Sequence, residues 1–269
     1  MSDEPSLLVD RQGPTLVLTM NRPVRRNALS LDMIVRFADA WAEADGDPGI
    51  RSVILTGATG VYCVGGDMES GWMAGNRSRQ PSATERRVMD EPSIIGRGLL
   101  LSDWLRTPII AVVNGDCLGG GCEMLQQTDI RIAEEQARFG LPEARRGLIA
   151  GAGSTTRLKR QIPYAVAMEM LITGRILDAE EAFRWGLVTH LVPAGEGLAK
   201  GLEIAGMIAG NGPLSVAATK ASAIETGWLS EDLARPIENS YSSRVMSSND
   251  AKEGMRAFIE KRPPNFTGT

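Results

Sequence analysis

Two uninterrupted apolar runs, Ser52–Thr56 (SVILT) and Ile109–Val113 (IIAVV), each stop at a glycine turn, at Gly57 and at Asn114-Gly115. A strand that alternates apolar and polar residues can leave one face in water. A run without alternation needs cover on both faces, which a layered α/β domain supplies. The surrounding sequence offers that cover. Ser30 is a helix N-cap, followed by Ile34, Phe37, Ala38 and Trp41 at helical spacing, and Asp45-Gly46-Asp47-Pro48 ends the helix. Leu7–Val9 and Thr15–Met20 read as two strands around Gly13-Pro14. Asp178-Ala-Glu-Glu181 is a capping box opening a helix expected to bury Ala182, Phe183 and Trp185, and Leu187–Val192 follows as a strand. From Gly195 the pattern is helical, broken near Gly210–Pro213 and Ser247–Asp250. The expected division is an α/β core over 1–194 and a helical region over 195–269, packed on its own core or on a neighbouring subunit.

Composition removes several kinds of chemistry. With 29 Lys+Arg against 33 Asp+Glu the chain carries a formal charge of −4, without the basic excess of a nucleic-acid binder. The single histidine, His190, lies in the apolar run GLVTHLVP and reads as a strand residue, so no site can use two imidazoles. Cys63, Cys117 and Cys122 form no CxxC pair and leave an odd thiol, which points to packing residues in a reducing compartment and to no metal site. No run approaches the roughly 20 apolar residues of a membrane span, and MSDEPSLLVD lacks an apolar signal core, so a cytoplasmic protein is expected. The polar segment 69–92 reads as a loop leading into a helix, with Trp72 and Met73 as candidate pocket residues. Trp104 and Trp185 are expected in the core.

Some of the 30 glycines stand where chemistry is possible. In Val112-Val-Asn-Gly-Asp-Cys-Leu-Gly-Gly-Gly-Cys-Glu123 a strand ends and Gly119-Gly120-Gly121 precedes a helical stretch, Cys122–Thr128. Glycines at a helix start bare its first N–H groups to an anion or a carbonyl oxygen. They equally suit a tight, closely packed turn. Glu123, an ionisable residue opening an apolar helix, favours the first reading. A second turn, Val64-Gly65-Gly66-Asp67, follows the Ser52–Thr56 strand. Two such turns can each aim one N–H at a single oxygen, as in an oxyanion hole, or can simply link strands to helices. Glu143 follows Pro142 and precedes a glycine-rich turn before the helix Thr155–Arg160. With Glu123 it would form a carboxylate pair suited to acid–base work. On the residues alone it reads as an exposed loop acid.

Taken together, MNRPVRRNALS, SVILTGATGVYCVGGDM, VNGDCLGGGCEM, QARFGLPEARRGLIAGAGSTTRL, AVAMEMLITGRILDAEEAFRWGLV and DAKEGMRAFIEKR resemble the crotonase (enoyl-CoA hydratase/isomerase) superfamily, in order and over nearly the whole chain. The resemblance implies an α/β fold, a spiral of ββα units with a C-terminal helical trimerisation region. It also implies a homotrimer or dimer of trimers, an acyl-CoA thioester as substrate, and no cofactor beyond the coenzyme A carried by that substrate. Gly66 and Gly120 match the two oxyanion-hole amides. Glu123 and Glu143 match the glutamates that handle water in hydratases, and Gly151 the amide that helps position it. Arg25, Arg26 and Ala28 match the CoA-lining segment. Val64, Gly65, Asp67 and Met68 match the turn receiving adenine and pantetheine, and Gly119 adjoins the hole. Phe258 and Lys261 match residues closing over CoA, often from a neighbouring subunit.

Because both glutamates are present, the implied reaction is addition of water to a 2-trans-enoyl-CoA, or its reverse. A double-bond isomerase, a carnitinyl-CoA-type dehydratase and a non-catalytic CoA-binding homologue are the alternatives. The chain departs from the usual pattern at Val64, Asp116, Gln126-Gln127 and Ala150.

Overall fold

The structure, a computed structural model, describes residues 4–68, 82–102 and 104–269. Strands β1 (Leu7–Gln12) and β2 (Thr15–Met20) pair antiparallel around Gly13. Helix α1 (Leu31–Gly46) follows, its N-terminus closed by the Ser30 hydroxyl, which accepts from the Met33 N–H. Strand β3 (Ser52–Gly57) then pairs parallel with β2. Helices α2 (Ala83–Asp90) and α3 (Ser93–Gly98) pack with α1, and the Trp41 indole N–H reaches the Gly98 carbonyl at 3.1 Å. The candidate pocket residues Trp72 and Met73 lie outside the described residues.

Strand β4 (Ile109–Val113) leads through Asn114-Gly115 to β5 (Asp116–Leu118) and α4 (Gly120–Leu125). Strands β6 (Ile130–Glu134) and β7 (Arg138–Gly140) precede α5 (Ser154–Gln161) and α6 (Tyr164–Thr173). Then come β8 (Ile176–Asp178), α7 (Ala179–Arg184) and β9 (His190–Val192). Six strands form one sheet in the order β1-β2-β3-β4-β6-β9, parallel from β2 onward. The unbroken apolar strands β3 and β4 lie at its centre and are buried at every position. In a second sheet, β5-β7-β8, Cys117 of β5 also bridges to Cys63 in the segment that follows β3.

The remaining helices are α8 (Gly197–Ala209), α9 (Pro213–Thr226), α10 (Glu231–Met246) and α11 (Asn249–Glu260). Ile204 and Ala205 of α8 close over Val17, Ile54, Ile110, Val112 and Ile132, covering one face of the large sheet. A fully buried isoleucine contributes about 1.5–3 kcal/mol. The helical region expected from residue 195 thus begins with a helix packed on the chain's own sheet.

Three local expectations change. The α7 cap forms, but the face turned inward carries Ala179 and Ala182, while Phe183 and Trp185 are exposed. Adjacent helical residues point about 100° apart, so burying Ala182 turns Phe183 outward. Leu187 and Val188 are buried in a turn, their N–H groups both bonded to the Ala182 carbonyl, and only His190–Val192 is strand. Trp104 is exposed as well.

Candidate active site

The two glycine turns meet beside the Cys63–Cys117 bridge. Gly65 has φ +97°, a conformation other residues adopt only with strain, and a Cβ there would lie 3.0 Å from the Gly120 nitrogen. The Leu29 N–H donates to the Gly65 carbonyl and the Leu29 carbonyl accepts from the Asp67 N–H. That strand-like bridge turns the Gly66 N–H to the side opposite Leu29, toward the cavity Gly66 lines. Gly120 is the first residue of α4, where no intrahelical acceptor exists. Neither N–H meets an acceptor among the described residues. Gly121 acts differently, through packing. A Cβ there would lie 2.6 Å from the Cys63 carbonyl oxygen, so α4 rests directly on the other turn. The triplet thus serves both close packing and exposed amides.

The cavity between the turns has a volume of about 530 Å³ and is lined by Arg26, Val64, Gly65, Gly66, Met68, Gly119, Gly120, Gly151, Glu123 and Glu143. Leu99, Leu101, Met124, Leu148 and Ile149 add an apolar wall that no sequence motif indicated. Glu123 is 6% exposed, and its Oε1 accepts from the Ala152 N–H at 2.8 Å. Burial, then the nearby Glu143 charge, pushes its carboxyl up to about 7. Glu143 sits in a short 3-10 turn, Pro142–Arg146, half-buried rather than on an exposed loop. Burial raises its carboxyl too, and its Oε2 is buried without a partner among the described residues. Two carboxyls raised in one cavity suit acid–base work, one able to take a proton while the other gives one. Two backbone donors beside them can stabilise an oxyanion.

Two arginine–aspartate clusters stand beside the cavity. Asp67 is buried and paired with Arg22 at 2.8 Å and Arg25 at 3.0 Å. Asp116 is buried and paired with Arg26 and, at 2.7 Å, with Arg138. Two guanidinium groups thus share each carboxylate, so each cluster carries a net positive charge. The unusual Asp116 has a structural cause. Arg22 and Arg138 were not indicated by the sequence, because their role is visible only once the aspartates they share are located. Arg25, Ala28 and Asp67 stand behind the lining rather than in it. Phe258 and Lys261 are not brought to the cavity by this chain. Phe258 is 85% exposed near the end of α11, and Lys261 caps that helix. Among the described residues no group of His, Cys, Asp and Glu is placed to hold a metal ion.

The family model for enoyl-CoA hydratase/isomerase matches residues 10–269. The chain is 46% identical over 262 residues to the enoyl-CoA hydratase EchA19 of Mycobacterium tuberculosis, covering 97% of this chain and 96% of that one. It is 36% identical over 262 residues to the crotonyl-CoA hydratase of Syntrophomonas wolfei, covering 97% of both. The crystal structure of enoyl-CoA hydratase EchA1 from Mycobacterium marinum superposes with a TM-score of 0.89 at 38% identity, covering 99% of this chain and 100% of that one. With the fold, the cavity and full-length similarity in agreement, the chain belongs to the enoyl-CoA hydratase/isomerase family.

Proposed function

We propose that this protein adds water across the C2–C3 double bond of a 2-trans-enoyl-CoA, or removes it from the 3-hydroxyacyl-CoA. The observation that carries this reading is the presence of two raised carboxyls, Glu123 and Glu143, in one cavity with two unpartnered backbone amides. Ionised Glu123 takes a proton from water as the water oxygen bonds to C3. The π electrons move onto the thioester oxygen, which the Gly66 and Gly120 N–H groups hold as an enolate. Protonated Glu143 then delivers its proton to C2, and the electron pair returns from the oxygen. Removing one oxyanion donor costs about 100–1,000-fold in rate. Gly151 lines the water side of the cavity, and the two arginine clusters face the CoA phosphates. The EchA19 and crotonyl-CoA hydratase names support the same substrate class.

A homotrimer or dimer of trimers, cytoplasmic and acting on no nucleic acid or membrane, completes the proposal. Exposed Leu233, Met246, Phe258 and Ile259 on the C-terminal helices support self-association, with Phe258 and Lys261 closing over CoA. The test is a panel of enoyl-CoA thioesters incubated in H₂¹⁸O. The expected result is loss of the conjugated chromophore with one ¹⁸O gained at C3. Double-bond migration without label would identify an isomerase, and bound but unchanged thioesters would overturn the reading.

A further inference from the structure

Arg157 stands where a helix ordinarily disfavours a cation. It is the fourth residue of α5, whose first turn carries no acid, and the positive end of the helix dipole opposes a guanidinium there. The side chain leans back toward the helix start, as helical side chains do, and its Nη1 donates to the Ala152 carbonyl at 3.0 Å. Gly153 makes the room. It has φ +105°, and a Cβ there would collide with the Arg157 guanidinium. From its other peptide group, Ala152 donates its N–H to the Glu123 Oε1 at 2.8 Å. One residue thus joins the guanidinium to the carboxylate. Burial disfavours the charged form of Arg157, and the Glu123 charge favours it.

Resting on the reading of Glu123 as the group that takes the proton from water, we propose that Arg157 is a positioning residue for hydration. It fixes the turn Gly151-Ala152-Gly153, so that the Ala152 N–H holds one oxygen of Glu123 and leaves the other to the attacking water. Two of the three residues in that turn are glycines, which resist rotation of the Ala152 peptide groups very little. The Gly153 carbonyl is tied to α5 by the Thr156 and Arg157 N–H groups. The Ala152 carbonyl, one peptide nearer the cavity, meets the guanidinium instead. Arg157 does not line the catalytic cavity, so it holds the turn without touching the thioester. It lines a separate cavity of about 560 Å³ with Arg160, Gln161 and Trp228.

The test compares R157A with R160A in the full-length protein, on two reactions. Hydration of a 2-trans-enoyl-CoA uses both glutamates. Exchange of the C2 hydrogens of a saturated acyl-CoA in D₂O uses Glu143 and the two amides alone. There a C2 proton passes to ionised Glu143 while the electron pair rests on the thioester oxygen. Glu143 exchanges that proton for a solvent deuteron, which returns to C2. R157A should lower kcat for hydration roughly 10-fold, with KM and the rate of exchange each within about twofold of the unaltered protein. R160A, which removes the neighbouring guanidinium that lies over the Trp228 ring, should leave both reactions unchanged. Because Arg157 lines a cavity of its own, guanidinium chloride at about 50 mM, far below unfolding concentrations, should restore hydration by R157A severalfold. Potassium chloride at the same ionic strength should not. Should R157A not fold, R157M, which keeps the apolar stem, carries the two kinetic readouts. Equal loss of hydration and exchange in a folded variant would overturn the proposal, as would a guanidinium response no larger than that to potassium chloride. An unaltered protein that exchanges C2 but hydrates no enoyl-CoA would remove the hydratase reading and this proposal with it. Hydration that R157A fully retains would remove this proposal alone.

Discussion

The junction of the two glycine turns and the helices after Gly210 are built on opposite terms. At the junction side chains have been removed so that backbones touch: a Cβ at Gly121 would press to within 2.6 Å of Cys63, and one at Gly65 to within 3.0 Å of Gly120. Its buried acids Asp67, Asp116 and Glu123 each find donors within the chain, while the Gly66 and Gly120 amides line the cavity and the Glu143 Oε2 is buried without a partner among the described residues. In α10 no residue is buried, while Leu233 and Met246 lie open on α10 and Phe258 and Ile259 on α11. One region is complete within a single chain. The other presents apolar surface that a single chain leaves uncovered. Substitutions at the junction should therefore act on chemistry and folding together, and those on the terminal helices chiefly on association.

The strongest test replaces the acids. E123Q and E143Q should each lower kcat by about 100–10,000-fold while affinity for a saturated acyl-CoA, read by calorimetry, changes little. Retained turnover in either would remove the junction from the chemistry. Next, G121A should cost about 1–3 kcal/mol in denaturant unfolding because the Cys63 backbone cannot yield. G206A, in α8 where nothing lies within 4 Å of the added Cβ, should instead gain about 0.5–1 kcal/mol. Equal responses would show that the close contact with Cys63 does not set the cost at Gly121.

A third prediction concerns pH. The folded-state proton affinity of Glu123 is raised from 4.5 to about 7, so the native protein holds a proton that the unfolded chain has released. The associated stability is fully present below about 4.5 and is lost as pH rises through about 7. With solvent at the cavity mouth screening the charge, that loss is roughly 1–3 kcal/mol between pH 5 and pH 8. E123Q should flatten this part of the stability profile. The smallest effect is expected at the other region. F258D with I259D should lower the mass found by light scattering to that of one chain. Each substitution should change that chain's own unfolding free energy by no more than about 0.5 kcal/mol.

Legibility in the sequence follows the same divide. Local causes were readable: the unalternating runs of β3 and β4, the Ser30 cap and the Asp178 capping box all formed. The turn before Glu123 was legible as a helix start because strand, glycine turn and helix are contiguous there, whereas the place of Gly66 opposite it came only from the family resemblance. Glu143 was not, since its burial depends on the 3-10 turn folding back over the Gly119 turn, whose added Cβ would lie 3.0 Å from its Oε1. Asp116 stands out as an anomaly until Arg26, 90 residues earlier, and Arg138 are seen to share it. Phe183 and Trp185 escape a sequence reading because hydrophobicity alone does not say which side of a short helix turns inward.

Cys63 lies under both turns, its Sγ accepting from the Gly65 N–H at 3.4 Å. Burial pushes its thiol up to about 12, so near neutral pH it is almost never a thiolate. An enoyl thioester is itself an electrophile at C3, and a thiolate beside it would alkylate itself on the substrate. A sulfur walled off beneath the two turns and kept protonated fills that space without offering a nucleophile to the cavity. The protein can then work on a reactive compound for many turnovers without being poisoned by it.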